Sequence, residues 1–134
     1  MQIIFLLSLL LTSLLNADSF TKAATIKPIY LQNDVQKEWC PVCAMSIEAY
    51  YKTSHAAKID KKNYHQYCSM RCLALEMQSK KVSDIKVVDS ASQKLIDANK
   101  AFYVVDSDVM GTMSKVSKLA FATKENAEEF NMEH

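Results

Sequence analysis

Four cysteines in two tight pairs constrain this 134-residue chain more than any other feature. Cys40-Pro41-Val42-Cys43 is a C-x2-C, and Cys68-Ser69-Met70-Arg71-Cys72 is a C-x3-C, with twenty-four residues between them. Each pair supplies neighbouring donors, so a fold that brings the pairs together makes a four-thiol site for one metal ion. Met45, two residues after Cys43, adds a thioether. Thiolate and thioether are soft donors; they favour Cu(I), with Zn(II) close behind for thiolates. The same spacing also suits a redox-active pair, and an oxidising compartment allows two structural disulfides.

The rest of the composition narrows the field. A net charge of +1 gives no dense basic face for nucleic acid. The single glycine, Gly111, rules out a P-loop and a Rossmann fingerprint, and no Ser-His-Asp order appears. The chain reads as a non-enzymatic binding protein. Its length suits one compact domain built of two small halves.

Residues 1–17 read as a signal peptide: 3–15 are apolar apart from Ser8, Thr12 and Ser13. That run is shorter than the roughly 20 residues of a membrane-spanning helix. The mature chain is therefore expected in the periplasm, without a stable membrane span; an uncleaved anchor is the alternative. Residues 18–38 form a polar leader that packs Ile29, Tyr30 and Leu31 on the domain.

The periodicity predicts an α+β fold. Strands are expected over 47–52, 55–59 and 64–68, the last two forming a hairpin across Asp60-Lys61-Lys62-Asn63. Ser69 is a helix N-cap, followed by Met70, Leu73, Ala74 and Met77 on one apolar face, with the helix ending near Lys80-Lys81. Further strands are expected over 85–89, 101–105 and 118–122, around a loop at 106–115. Thr123 caps a last helix with Ala127 and Phe130 inward and Glu125, Glu128 and Glu129 wet. Tyr67-Cys68-Ser69 stands where Phe121-Ala122-Thr123 stands later, a loose echo that divides the chain into two ββα-type halves, 39–90 and 91–134. Only the first half carries cysteines.

Several side chains bear two readings. Cys68 and Cys72 flank a helix start, where the dipole favours thiolate, so at least one is expected to have a lowered pKa. Cys43 and Met45 at i and i+2 of a strand would face one ion. His65 is a candidate ligand or a donor behind the ligands, and His55 is read as exposed or structural. Trp39 either shields the site or is core. Met113, like Met45, is core by chemistry alone.

Cys40-Pro41-Val42-Cys43-Ala44-Met45 resembles the C-x-x-C-G-M motif of periplasmic copper proteins related to NosL, the accessory protein of nitrous oxide reductase maturation. Residues 101–113, followed by 121–130, resemble the same family's Y-Y-V-x-x-S-D-x-x-G-P-M segment and closing helix. Residues 64–72 are similar to the cysteine segment of YHS- and TRASH-type heavy-metal domains. Ala44 stands for the family's glycine and Thr112 for its proline, and no lipobox cysteine follows the apolar run. The resemblance implies Cu(I) binding and delivery to a copper-requiring client or transporter, with Cys40, Cys43, Met45 and Met113 matching motif ligands. A thiol–disulfide oxidoreductase and a four-cysteine zinc module are the alternatives; in the former a C-x-x-C would open a helix after a strand.

Overall fold

The computed structural model describes residues 19–134. The signal peptide expected over 1–17 lies outside them. The fold is α+β, with two antiparallel sheets and two helices.

The first sheet is built from β1 (His55–Lys58), β2 (Tyr64–Tyr67), β3 (Ser83–Val88) and β4 (Leu95–Asp97), in the order β2-β1-β3-β4. The β1–β2 turn closes as its residues predict: the Asp60 carboxylate accepts from the backbone N–H of Lys62 and Asn63 at 2.8 and 2.9 Å. Helix α1 (Met70–Met77) starts at Ser69, whose hydroxyl accepts from Cys72 N–H. The second sheet pairs β5 (Phe102–Val105) with β6 (Lys118–Phe121), followed by α2 (Lys124–Glu133). Thr123 caps α2 through Asn126 N–H, and Ala127 and Phe130 are its buried residues, as the periodicity requires. The echo thus holds at the level of caps: Ser69 and Thr123 each close the first turn of the helix after a hairpin.

Residues 47–52 are not a strand. They belong to a 3-10 helix, Glu48–Thr53, kinked at Tyr50. Ile47 and Tyr51 are fully buried while Ala49 between them is exposed. An i, i+4 pair buried with i+2 exposed is helical spacing, since a strand would bury all three. The Ser46 hydroxyl fixes the start by accepting from Ala49 N–H at 3.2 Å. Strand β4 and the 3-10 turn Ala98–Lys100 fill the stretch before β5, for which the periodicity predicts no element. Three residues are too few for an alternating pattern to register. Helix α1 also stops at Met77, short of Lys80-Lys81, although Lys80 N–H still reaches the Glu76 carbonyl at 3.0 Å.

Each sheet has its own core. The first gathers Ile47, Tyr51, Ala57, Tyr67, Leu73 and Val88 around the cysteines. The second consists of Val104, Leu119, Phe121, Ala127 and Phe130, with Phe20 packed on it. Polar bonds join the two. Ser90 N–H donates to Ala120 O at 2.8 Å, and the buried Asp89 carboxylate accepts from Ala122 N–H and from the Ser92 hydroxyl. The loop after β5 is held shut at Gly111, where a Cβ would collide with the carbonyl oxygens of Ser114 and Val116.

Candidate metal centre

The sulfurs of Cys40, Cys43, Cys68 and Cys72 all lie within 4.8 Å of one another. Cys68 is the hub, 3.4 Å from the Cys43 sulfur and 3.8 Å from that of Cys72. All four cysteines are free, and three of them, Cys40, Cys68 and Cys72, are buried; Cys43 is part-exposed. Four soft donors within one coordination shell are positioned to bind a metal ion. Two local structures bring the four thiols together.

The first is a backbone turn. Cys40 N–H donates to Met45 O at 2.9 Å and Ala44 N–H to Cys40 O at 2.8 Å, while Trp39 and Ser46 form a β-bridge below. This loop curls the C-x2-C so that both thiols turn to one side. Ala44 closes it at φ 60°, a left-handed conformation that favours glycine. The strand geometry expected for Cys43 and Met45 is therefore replaced by a turn. Met45 is half-buried and packs on the same core as the cysteines.

The second is the β2–α1 corner. Tyr67 ends the strand, Cys68 makes the bend, and Ser69 opens the helix that carries Cys72. Thr53, from the 3-10 helix, lies 2.8 Å from Cys68 O and 2.9 Å from the Thr112 hydroxyl. One hydroxyl has one proton, so Thr53 donates to Cys68 O and accepts from Thr112.

Two buried glutamines complete the frame, and no periodic pattern marks either of them. Gln32 Nε2 donates to the carbonyls of Lys37 and Trp39, both at 2.9 Å, and its Oε1 accepts from Gln66 N–H. Gln66 in turn accepts from Leu31 N–H and donates to Ile29 O and to the Ser54 hydroxyl. The leader is thereby bonded to β2 right up to the residue before Cys40. Of the three apolar side chains expected to pack on the domain, Tyr30 packs on the core, Leu31 is half-buried and Ile29 is exposed.

The proton affinities differ from the helix-dipole expectation. The Cys72 thiol is pushed up to about 12, chiefly by burial. Cys68 is raised as well, first because its thiol is held as donor to Cys40 and second by burial. The lowered thiol is Cys40, down to about 5, because the Cys68 thiol donates to its sulfur, helped by backbone N–H groups of the turn. One short helix does not outweigh desolvation plus a neighbouring anion. A cluster of this kind ionises once easily and then resists, until a cation is present to hold the remaining thiolates together.

Met113 stands in the 106–117 loop, 38% exposed and at φ 58°, next to the Thr112 that is bonded to Thr53. His65 is not in the cysteine cluster; its Nδ1 lies 3.0 Å from the Glu76 carboxylate, which also takes Lys80 Nζ at 2.6 Å. His55 is structural and buried rather than exposed, with Nδ1 3.1 Å from Thr53 O. Trp39 is half exposed, so it is not a core residue. Tyr67 Oη is the buried side-chain oxygen without a hydrogen-bond partner among the described residues.

The NosL family model matches residues 32–134, which include all four cysteines and both Met45 and Met113. The chain belongs to the NosL family. Neither a curated protein nor a solved structure matches it significantly. Among the described residues, no helix is long and apolar enough to cross a membrane.

Proposed function

We propose that this NosL-family chain is an exported metallochaperone, which takes up Cu(I) on its cysteine cluster and passes it to a copper-requiring client such as nitrous oxide reductase, or to a copper transporter. The observation that carries the reading is the convergence of four thiols within 4.8 Å in a member of this family. Sulfur donors suit Cu(I) better than any hard-ligand set. Carrying an ion is a matter of holding it without reacting, and the cluster has the features for it. Three thiols are buried, the backbone around Cys40 is fixed by the Cys40–Met45, Ala44–Cys40 and Gln32–Trp39 hydrogen bonds, and Met45 sits on the same core. Transfer proceeds by ligand exchange and leaves the oxidation state of the ion unchanged.

A four-thiolate set is also what structural zinc takes, closed and tetrahedral, so zinc is the second reading. Anaerobic titration with Cu(I) and Zn(II) against competing chelators separates the two. The chaperone reading expects Cu(I) to displace Zn(II) and to slow the alkylation of all four cysteines relative to the metal-free chain. Retention of Zn(II) in the presence of excess Cu(I) transfers the assignment to a structural zinc module.

A further inference from the structure

The four sulfurs are not equally reachable. Cys40, Cys68 and Cys72 have at most 2% of their surface exposed, and Ile47, Tyr51 and Leu73 close the same cluster from within, none above 5%. Cys43 alone is part-exposed. Around it, Pro41, Val42 and Ala44 are all exposed, and no lysine, arginine, aspartate or glutamate lies between Cys40 and Met45. An incoming sulfur ligand therefore meets no ammonium or carboxylate within the turn. Cys43 is at the same time only 3.4 Å from the hub sulfur of Cys68. It is both part of the cluster and part of the surface.

Resting on the metal reading above, we infer that Cys43 is the exchange ligand, the single sulfur through which the metal enters and leaves. The partner's donor is a thiolate or thioether approaching over the Pro41–Val42 side of the turn. In the exchange step the partner sulfur forms a bond to the ion as the Cys43–metal bond breaks. Cys43 departs as thiolate, keeping the electron pair of the broken bond; nothing is oxidised or reduced. Cys40, Cys68 and Cys72 hold the ion until the partner has supplied its own ligands. Rigid burial suits these three, because a holding ligand must not be displaced first. The turn suits Cys43, since its backbone stays pinned by the Cys40–Met45 and Ala44–Cys40 bonds whether or not its sulfur is coordinated.

The test uses the unaltered chain, loaded anaerobically with Cu(I). It is exposed to less than one equivalent of iodoacetamide, with bathocuproine disulfonate present to report released copper. Peptide fragmentation then locates the first label. Cys43 is expected to be alkylated at least about tenfold faster than any of the other three thiols, with copper released at the rate of that labelling. First labelling at Cys40, Cys68 or Cys72 overturns the assignment, and so does labelling of Cys43 without release. A chain that takes up no Cu(I) overturns the metal reading along with it, whereas a loaded chain that labels elsewhere overturns only the role of Cys43.

Discussion

His55 Nε2 lies 3.2 Å from the Tyr103 hydroxyl, and the two rings stack with an interplanar angle of 15° across the junction of the two sheets. With Nδ1 donating to Thr53 O, Nε2 is left as an acceptor, so Tyr103 O–H donates to it. The contact requires a neutral imidazole. It joins β1 of the cysteine-bearing sheet to β5 of the other, and it shares Thr53 with the Cys68 backbone. The junction and the metal centre are thus one bonded assembly.

Acid should loosen that assembly in two separate windows. Burial lowers the His55 pKa to about 4, so the unfolded chain takes up the proton first. Its contribution is complete above about pH 6.5, is lost as pH falls toward 4, and is on the order of 3 kcal/mol. Glu76 is buried, which alone would raise its pKa, yet the Lys80 ammonium at 2.6 Å, with His65 beside it, holds it down to about 2. Its contribution is present above about pH 4.5 and is lost only below that. Urea midpoints from pH 7 to 3 should fall in both ranges. Tyr103→Phe should cost about 1 kcal/mol at pH 7. A midpoint that stays flat between pH 7 and 4.5 would show that His55 is not held neutral.

Ala44→Gly should stabilise the chain. Ala44 sits at φ 60°, where a Cβ is strained, and its N–H closes the cysteine turn onto Cys40 O. Relief of that strain, less the entropy of the more flexible unfolded glycine, leaves a gain of about 0.5–1 kcal/mol. Thermal unfolding measures it. No gain, or a loss, means that the turn relaxes around alanine without cost.

Gln32→Leu should damage both stability and metal retention. The substitution leaves the carbonyls of Lys37 and Trp39 and the N–H of Gln66 without the partners they now have. Losing buried hydrogen bonds of this kind costs about 1–3 kcal/mol. Because Trp39 precedes Cys40, metal should also dissociate faster from the variant than from the parent at a temperature where both are folded. Equal dissociation rates would confine Gln32 to a role in folding.

Gln32 and Gln66 also mark the limit of what the chain discloses in one dimension. The hairpin, both capped helices and the pairing of the two cysteine motifs were legible, because each is written in local spacing: alternation, Ser69 and Thr123 caps, C-x2-C and C-x3-C. The short 3-10 helix was not, since Ile47 and Tyr51 satisfy both periods and only the exposed Ala49 separates them. The thiol order was not legible either. It depends on the mutual placement of four sulfurs, where Cys40 gains from Cys68 what the helix start was expected to give Cys68 and Cys72. Gln32 makes its bonds over as many as 34 residues, and nothing in its neighbours announces them.

The same dependence on tertiary contacts decides the role of Met113. A thioether binds Cu(I) without competing for protons, and it yields easily to an incoming ligand. The Met113 loop is bonded to the site through Thr112, Thr53 and Cys68 O, which ties the loop that carries this thioether to the backbone of the cluster. Met113→Leu conserves volume at an exposed position, so stability should change by less than about 0.5 kcal/mol. Cu(I) affinity should fall about tenfold, equivalent to about 1.4 kcal/mol, while Zn(II) affinity stays the same. Thr112→Val, which cuts the bond to Thr53 and leaves Met113 in place, should produce the same selective loss. Competition against a Cu(I) chelator measures both variants. If Met113→Leu holds Cu(I) as tightly as the parent, the ligands are confined to the first half, and the four thiolates carry the ion without help from the loop.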